Sequence, residues 1–344
     1  MKFILAFTVF CLSCSPLTFS QTAWTIVKQG LVVADPPFSQ CHASTLVALR
    51  SGEIMMAWFG GAHEGSNDVV IWCSTLKKKS WTKPVAVADG IVNDSLRFPT
   101  WNPVLFQEKG GVLFLFYKVG PNPRQWWGMV KTSTNGGKSW SAPRRLPPGI
   151  LGPIKNKPFQ LPDGAILSPS STETDTRWRA HVERSSDGGR TWTYIPIDTA
   201  GKFDVIQPSI IKFADGRLQV LCRSKQGFVM QSSSLDNGNT WSALTPTSLI
   251  NPNAGTDAVT LTNGHQMIVY NPDVPGKDWW NGRSKLRVAV SKDGATWTDV
   301  AVLEDGTTGE YSYPAIIQTH DAKVHLSYTF NRKNIKYVVL EGGK

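Results

Sequence analysis

The feature that most constrains this sequence is a short turn motif that returns about every fifty residues. Three copies share the pattern Ser-x-Asp/Asn-x-Gly-x-Ser/Thr-Trp and cover residues 133–140, 185–192 and 234–241. A fourth copy, 291–297, is one residue shorter, and a fifth, 74–81, keeps the Ser and the Trp but has lost the carboxylate and the Gly. In such a turn the Asp or Asn binds its own backbone, the Gly accepts a positive φ, and the Trp fills the gap between neighbouring sheets. These motifs, called Asp boxes, therefore predict a regular series of β-hairpins.

A second marker with the same period gives the number of units. At six places an apolar segment and a turn residue precede an extended run, and the turn residues are Gly52, Gly111, Gly164, Gly216, Gly264 and Ala322. Units of about fifty residues match four-stranded blades. The sequence thus predicts an all-β chain in which residues 21–344 form a single six-bladed β-propeller. We expect the blade without an Asp box to be closed by pairing of the two chain ends.

The first twenty residues have the layout of a secretory signal peptide. The apolar run 3–12 follows Lys2, and small and polar residues lead to a cleavage site near Ser20. The run is well short of the ~20 residues that span a bilayer, so we expect no integral membrane segment after cleavage. A lipoprotein anchored through Cys14 is the alternative. Either way, the sequence predicts a secreted or periplasmic protein.

Charge and cysteine content exclude several classes of protein. Only three cysteines, Cys41, Cys73 and Cys222, follow the leader, and they are too widely spaced for a disulfide framework or a zinc site. No motif calls for a cofactor or a metal. The net charge of +10 is scattered along the chain without a basic helix or an RNA-binding signature, so we expect no nucleic-acid partner. The charge indicates either a solvated basic surface or a basic pocket for an anionic ligand. We expect the protein to be a monomer.

Polar and aromatic residues recur just before the marker hairpins, where the innermost strands of a propeller begin. Because polar groups at the start of buried strands are costly unless they are used or paired, we interpret them as a pocket lining. The members of this set are His42, Arg97, Trp101, Asn102, Lys157, Gln207, Asp257, Glu310 and Tyr313.

From about Ala23 to Val339 the chain resembles the sialidase (neuraminidase) superfamily with its BNR/Asp-box repeats. The resemblance implies a propeller enzyme in which three arginines hold a substrate carboxylate, an Asp acts as acid/base, and a Tyr nucleophile is activated by a Glu. A neutral Tyr suits this role because an anionic substrate would repel a carboxylate nucleophile. Asp boxes also occur in propellers without activity, so they specify the fold better than the function.

The nucleophile motif of that family is similar to residues 310–314, Glu-Tyr-Ser-Tyr-Pro. Tyr311 is the better match, and Tyr313 is the fallback. The acid/base Asp falls in the stretch 60–68, where Asp68 is the best candidate. Glu64 and His63 share this loop and remain alternatives.

The resemblance also implies two of the three arginines. Arg223, after the fourth marker hairpin, and Arg283, before an Asp box, are the matches, with Arg287 as a second choice for the latter. Their guanidinium groups would bind a carboxylate through a bidentate fork. Arg97 and Lys157 would add positive charge at the pocket, and Trp101 would stack against sugar rings.

Two positions depart from the family pattern. His42 stands where the first arginine is expected, and Gln207 stands where the activating Glu is expected. A neutral amide cannot accept the phenol proton, so His42 or Glu310 would have to compensate. We therefore expect an exo-acting glycoside hydrolase of sialidase type that releases a terminal, acidic sugar from a glycan. A glycosidase for another sugar, a polysaccharide lyase, and a carbohydrate-binding propeller without chemistry are the alternatives.

Overall fold

The computed structural model describes residues 24–278 and 280–342, and this part of the chain consists of strands and loops without helices. It accordingly contains no helix that is long and apolar enough to cross a membrane. The predicted leader, residues 1–20, lies outside the described residues.

The strands, in chain order, are β1 (Trp24–Leu31), β2 (Gln40–Ala48), β3 (Ile54–Gly61), β4 (Val70–Lys77), β5 (Ser80–Trp81), β6 (Val85–Ala88), β7 (Ile91–Asn93), β8 (Leu96–Arg97), β9 (Thr100–Gln107), β10 (Leu113–Val119), β11 (Trp127–Ser133), β12 (Arg144–Arg145), β13 (Phe159–Gln160), β14 (Ile166–Glu173), β15 (Trp178–Ser185), β16 (Thr193–Pro196), β17 (Val205–Lys212), β18 (Leu218–Ser224), β19 (Phe228–Ser234), β20 (Thr245–Ile250), β21 (Asp257–Thr260), β22 (Gln266–Tyr270), β23 (Lys285–Ser291), β24 (Thr298–Asp305), β25 (Tyr311–Gln318), β26 (Val324–Phe330) and β27 (Asn334–Gly342).

These strands form six antiparallel sheets, so the predicted six-bladed, all-β propeller is confirmed. Blade 1 contains β2–β6, blade 2 β9–β12, blade 3 β13–β16, blade 4 β17–β20 and blade 5 β21–β24, while β7 and β8 form a separate small hairpin. In blade 6, strands β25–β27 are completed by β1, with Trp24 opposite Gly342. The blade without an Asp box is thus the one that the chain ends close, as the sequence predicts.

Each Asp box connects the third strand of a blade to the next segment of the same blade. In the box 185–192, Oδ1 of Asp187 accepts hydrogen bonds from the backbone N–H groups of Arg190 (3.0 Å) and Thr191 (2.9 Å). The hydroxyl and backbone of Thr191 hold the pKa of this carboxyl well below its usual range. Gly189 has a φ of 82°, a value that residues other than glycine rarely adopt. Its carbonyl accepts a hydrogen bond from the indole of Trp192. The turn chemistry expected from the motif is therefore present.

The apolar core is divided among the interfaces between neighbouring blades, and each interface has its own cluster of buried side chains. The tryptophan of each Asp box packs into the interface with the preceding blade. These residues are Trp81, Trp140, Trp192, Trp241 and Trp297. At the interface between blades 5 and 6, where no Asp box contributes, Trp24 from the start of β1 packs into the cluster instead. The closing strand thus supplies both the missing strand and the missing tryptophan.

Antiparallel connectivity decides which loops share an end of the propeller. The inner strands of all blades begin at one end, which we call the upper end, and the second strand of each blade returns to it. Loops between second and third strands therefore lie at the upper end, and the Asp boxes lie at the opposite end. Side chains from the inner strands and from these upper loops are the ones that can meet in one site.

Candidate functional site

Inner strands of several blades contain a bulge near their upper ends. The register shifts between His42 and Thr45 in β2, between Ile206 and Ser209 in β17, and between Ser312 and Ala315 in β25. The bulged residues have left-handed backbones, with φ of 54° at Ala43, 55° at Gln207 and 51° at Tyr313, and Asn102 in β9 has a φ of 32°. A bulge changes the direction of the side chains around it, so these positions can place polar groups in the channel.

Tyr313 is the tyrosine that reaches the basic groups of the channel. Its hydroxyl accepts hydrogen bonds from Nη1 of Arg223 (2.9 Å) and from Nε2 of Gln207 (3.2 Å). The ring of His42 lies 4.2 Å from the ring of Tyr313, measured between centroids, and the ammonium of Lys155 lies 5.8 Å from its centroid.

Tyr311 occupies a different environment. Its ring packs on Phe330, 5.2 Å away between centroids, at the apolar interface of blades 5 and 6. Its backbone carbonyl accepts a hydrogen bond of 2.8 Å from the side chain of Asn271. Tyr311 and Tyr313 are two positions apart and would point to the same side of a regular strand, but the bulge between Ser312 and Ala315 separates their directions. The structure therefore brings Tyr313, and not Tyr311, to Arg223.

Arg223 and Arg283 are both buried and lie close to one another. Nε of Arg223 donates to Oδ1 of Asn253 (2.8 Å), and Nη2 of Arg283 donates to the carbonyl of the same Asn253 (3.4 Å). Burial, followed by the charge of Arg223, lowers the pKa of Arg283, whereas its ion pair with Glu310 at 3.2 Å opposes this effect. Sequence reasoning missed Asn253, although its place in the turn 251–253, Asn-Pro-Asn, is a signal for a left-handed residue; its φ is 62°.

A third guanidinium, that of Arg332, was also missed by the sequence argument. Its Nε donates to Oε2 of Glu310 (2.7 Å), its Nη2 donates to Oε1 of Glu310 (3.2 Å), and its Nη1 pairs with Glu64. Arg332 belongs to the upper loop between β26 and β27, so its position at an upper loop of the last blade was the available signal. Because Arg332 lies near His42, it brings positive charge to the place where the resemblance predicts an arginine.

Glu310 links two of these arginines. Burial opposes ionisation of its carboxyl, but the hydrogen bonds and charge of Arg332 and the charge of Arg283 hold its pKa below the usual range. The hydroxyl of Ser312 donates a further hydrogen bond of 2.9 Å to Oε1. Glu310 is therefore a carboxylate that orients guanidinium groups.

His42 is neutral in this setting. Burial, and then the positive charges of Arg332, Arg283 and Arg223, hold its pKa well below its ordinary value. Its side chain is only 2% exposed, and its Nδ1 has no hydrogen-bond partner among the described residues. The ring contacts Phe59 at 5.7 Å between centroids in addition to Tyr313. His42 thus offers an imidazole without charge directly beside the tyrosine.

Lys157 and Asp257 connect several blades through the interior. The ammonium of Lys157 lies 2.9 Å from Oδ2 of Asp257, and Asp257 also accepts hydrogen bonds from Ser209 (2.9 Å) and from the backbone N–H of Ile316 (3.0 Å). These contacts join blades 3, 4, 5 and 6. Lys157 and Asp257, both predicted to bind substrate, are therefore already paired with one another.

The loop between β3 and β4 carries the candidate acid. Asp68 is exposed, and its Oδ2 accepts a hydrogen bond of 2.9 Å from the backbone N–H of Ala62. The hydroxyl of Ser66 is the largest influence on its pKa, which is lowered from the ordinary value. Nη2 of Arg97 donates to the backbone carbonyl of Asp68 at 3.4 Å. Glu64 and His63 from the same loop line a small cleft above His42, together with Gln40, Cys41, Phe59, Gly61, Val69 and Arg332.

Trp101 and Asn102, which were predicted to contact substrate, are both buried. Trp101 is buried, its indole N–H donates to the carbonyl of Gly120 (2.8 Å), and its ring packs on Trp126 at 5.9 Å between centroids. Asn102 is 5% exposed. Within residues 24–278 and 280–342, no group of three or more His, Cys, Asp or Glu side chains is arranged to hold a metal ion.

The assembled site is a basic channel around one phenol. The guanidinium of Arg223 donates to Tyr313, whereas those of Arg283 and Arg332 share the carboxylate of Glu310, and Arg332 also pairs with Glu64. Such a site can bind a carboxylate through forked hydrogen bonds and can stabilise negative charge on the phenol oxygen. Together, the fold and this channel define a sialidase-like propeller.

Comparison with known proteins agrees with this class. The family model described as BNR repeat-like domain matches residues 52–326, and the chain therefore belongs to the BNR repeat-like domain family. It is 26% identical over 197 residues to the anhydrosialidase of the leech Macrobdella decora. This match covers 52% of the chain but only 25% of the leech protein, so the chain spans about a quarter of the length of that curated relative.

Solved structures share the fold over a larger part of the chain. A protein of unknown function from Dyadobacter fermentans has a TM-score of 0.77 at 20% identity, covering 93% of this chain and 99% of that one. The NanB sialidase of Streptococcus pneumoniae has a TM-score of 0.70 at 14% identity, covering 93% of this chain and 70% of the sialidase. The leech intramolecular trans-sialidase, solved with 2,7-anhydro-Neu5Ac, has a TM-score of 0.69 at 13% identity, with coverage of 89% and 68%.

Proposed function

We propose that this protein is an exo-acting glycoside hydrolase that releases a terminal anionic sugar from a glycan. The observation that carries the proposal is the hydroxyl of Tyr313, which accepts a hydrogen bond from Arg223 inside a channel with three guanidinium groups. The names of its sialidase relatives support the same class of reaction.

The charge of the channel supports an anionic substrate. Arg283 and Arg332 share Glu310, and Arg332 also pairs with Glu64. Arg223 instead has neutral hydrogen-bond partners: Oδ1 of Asn253, Oε1 of Gln207 and the hydroxyl of Tyr313. Within residues 24–278 and 280–342 no carboxylate forms an ion pair with Arg223, so a substrate carboxylate would gain a charge-assisted bond there.

The proposed reaction proceeds in two displacements with retention of configuration. The oxygen of Tyr313, after loss of its proton to solvent, attacks the anomeric carbon while the glycosidic bond breaks, and Asp68 donates a proton to the leaving oxygen. Water then attacks the tyrosyl glycoside, Asp68 takes up the water proton, and the phenolate leaves. Gln207 donates to the phenol oxygen but cannot take its proton, so we assign stabilisation of the phenolate to Arg223.

Because His42 and Gln207 replace the arginine and the glutamate of the family pattern, we expect a substrate that differs from that of a strict sialidase. With a neutral imidazole in place of a guanidinium, the carboxylate would be held by Arg223, Arg283 and Arg332 from blades 4, 5 and 6. A uronic acid or another acidic sugar is therefore a substrate to test beside sialic acid. We further propose that residues 1–20 direct the protein out of the cytoplasm.

A polysaccharide lyase is the second candidate, and one observation favours it. The neutral imidazole of His42 lies beside Tyr313, and an uncharged imidazole is the form that can accept a carbon-bound proton. A lyase would leave an unsaturated, ultraviolet-absorbing sugar, whereas a hydrolase would not. Product analysis therefore separates the two candidates.

The decisive measurement is turnover of aryl sialosides, aryl uronosides and extracted glycans by wild type, Tyr313→Phe and Asp68→Asn. We expect losses of about a thousandfold in kcat for Tyr313→Phe and about a hundredfold for Asp68→Asn. Tyr311→Phe is the matched control and should stay within about threefold of wild type. Full activity of Tyr313→Phe would show that Tyr313 is not the nucleophile.

A further inference from the structure

A cluster at the upper end of blade 3 adjoins the site but has no part in the proposed reaction. Trp178 begins β15, and its indole lies 5.3 Å from the guanidinium carbon of Arg223 and 4.5 Å from the ammonium of Lys225, measured to the ring centroid. The backbone N–H of Trp178 donates to Oδ1 of Asp204 (2.8 Å). One guanidinium group therefore separates this half-buried indole from the hydroxyl of Tyr313.

Two charged groups beside the indole have no hydrogen-bond or ion-pair partner for their side chains within the described residues. Lys225 is exposed, and its ammonium contacts only the face of Trp178. Glu173 lies directly opposite Trp178 in the β14–β15 hairpin. Burial raises the pKa of Glu173, although the charges of Arg223 and Lys225 oppose this effect. A half-buried carboxyl without hydrogen bonds is costly, so a ligand that supplies them would be favoured.

We infer that Trp178, Lys225 and Glu173 form a subsite for the second sugar of the glycan, the neutral pyranose to which the released anionic sugar is attached. This inference rests on the proposed function, because it places the leaving sugar next to the one held by Arg223. The indole supplies apolar surface against the ring of the pyranose, Lys225 donates to its hydroxyls, and Glu173 accepts from them.

The charge balance of the cluster favours a neutral ring over an acidic one. Arg223, the other positive charge beside Trp178, would be engaged by the carboxylate of the released sugar, which leaves Lys225 opposite the carboxyl of Glu173. An additional carboxylate or sulfate would then lie against Glu173. Hydroxyl groups can instead use the donor and the acceptor together. The subsite thus adds recognition of the linked sugar to recognition of the anionic one.

The test compares two glycosides of the same anionic sugar: a methyl glycoside, which has no second ring, and one linked to galactose. In Trp178→Ala we expect kcat/KM for the galactose-linked substrate to fall about tenfold, mainly through KM, with a change below about twofold for the methyl glycoside. Lys225→Met, an exposed substitution, should reproduce about a threefold loss on the galactose-linked substrate alone. The matched control is Lys202→Met, because Lys202 also lies over an aromatic ring, 5.2 Å from the centroid of Phe203, and it should leave both rates unchanged.

Equal losses on both substrates would overturn the subsite, since Trp178 would then act only by holding Arg223. A lower KM for a substrate whose second sugar is sulfated or is a uronic acid than for the galactose-linked substrate would show that the subsite does not select a neutral sugar. If wild type cleaves neither glycoside, the proposed function fails, and calorimetric titration with sialyllactose and with free sialic acid decides the subsite separately. Tighter binding of sialyllactose by wild type, lost in Trp178→Ala, supports it, and equal or absent binding overturns it.

Discussion

At the residue scale, Arg223 is the side chain on which the site depends. Its planar guanidinium donates to the side chain of Asn253 and to the hydroxyl of Tyr313, and it lies against Trp178. A lysine could not make these contacts together, because its ammonium lacks the rigid fork of donors. The orientation of Arg223 therefore links the proposed nucleophile, the anion site and the inferred second-sugar subsite.

Asn253 orients Arg223, and its removal tests that role without disturbing the backbone. Because φ at this position is 62°, Asn253→Gly keeps the turn while it deletes the acceptor for Nε of Arg223. A hydrogen bond to a charged group contributes about 1.5–3 kcal/mol, so we expect kcat/KM for anionic glycosides to fall at least about tenfold. Asn237→Gly is the control: Asn237 has a φ of 58° in an Asp box at the opposite end, and its substitution should leave kinetics unchanged. If Asn253→Gly had the same kcat/KM as Asn237→Gly, Asn253 would not orient Arg223.

At the element scale, the closing blade is completed by β1 in two respects. β1 pairs with β27 along its length, and Trp24 packs into the interface of blades 5 and 6 as the Asp-box tryptophans pack into theirs. The tryptophan is therefore not a property of the box alone. All six interfaces share a tryptophan from the outer part of a blade, whether or not that tryptophan belongs to an Asp box.

This equivalence predicts the cost of losing Trp24. We expect Trp24→Ala to lower the free energy of unfolding by about 2–3 kcal/mol, near the lower end for removal of a tryptophan because Trp24 is half-buried. Trp297→Ala, in the neighbouring interface, should cost a similar amount, whereas Val27→Ala, at a position 48% exposed on the same strand, should cost little. Urea unfolding measures all three. A Trp24→Ala protein as stable as Val27→Ala would contradict the equivalence.

At the scale of the whole molecule, buried lysines connect blades through the interior. The ammonium of Lys155 donates to Asn156 in blade 3, to the carbonyl of Thr256 before blade 5 (3.0 Å) and to the carbonyl of Pro314 in blade 6 (2.6 Å). Lys118 donates in the same way to the carbonyl of Pro153. Burial lowers the pKa of each lysine to about 7.

These lysines predict how stability depends on pH. Between pH 7 and 10 the unfolded chain keeps the lysine protons, whereas the folded protein has lost them, so the free energy of unfolding rises with pH in this window. The rise from pH 7 to 9 is on the order of 2 kcal/mol for each lysine, and below pH 7 the cost of burying the charge is fully present. Urea titrations at pH 7 and pH 9 should show that the free energy of unfolding rises less with pH in Lys155→Met than in wild type. Lys202→Met should show the same rise as wild type. An unchanged slope in Lys155→Met would assign the pH dependence to other groups.

The period of the chain could be read from the sequence because local turn chemistry repeats in it. An Asp box needs only its own eight residues to form its hydrogen bonds, and the marker glycines need only a positive φ. Six hairpins of equal spacing then leave few arrangements other than a closed ring. The fold, the number of blades and the closing blade followed from these local signals.

The site could be predicted only in part. Arg223, Arg283 and Glu310 were identified by resemblance, and the structure brings them together with His42 and Gln207. The resemblance ranked Tyr311 above Tyr313, whereas the structure places only Tyr313 beside Arg223. A bulge of one residue decides which side chain enters the channel, and a sequence motif does not report the register of a strand.

What the sequence determined by itself is therefore the scaffold, since each of its turns is specified by neighbouring residues. What only the tertiary structure decided is the membership of the site. Arg332 pairs with Glu64, which lies 268 positions earlier in the chain, and Asn253 meets Arg223 and Arg283 across two blades. Such contacts arise because ring closure brings distant loops to one end of the channel, and no local pattern encodes that distance.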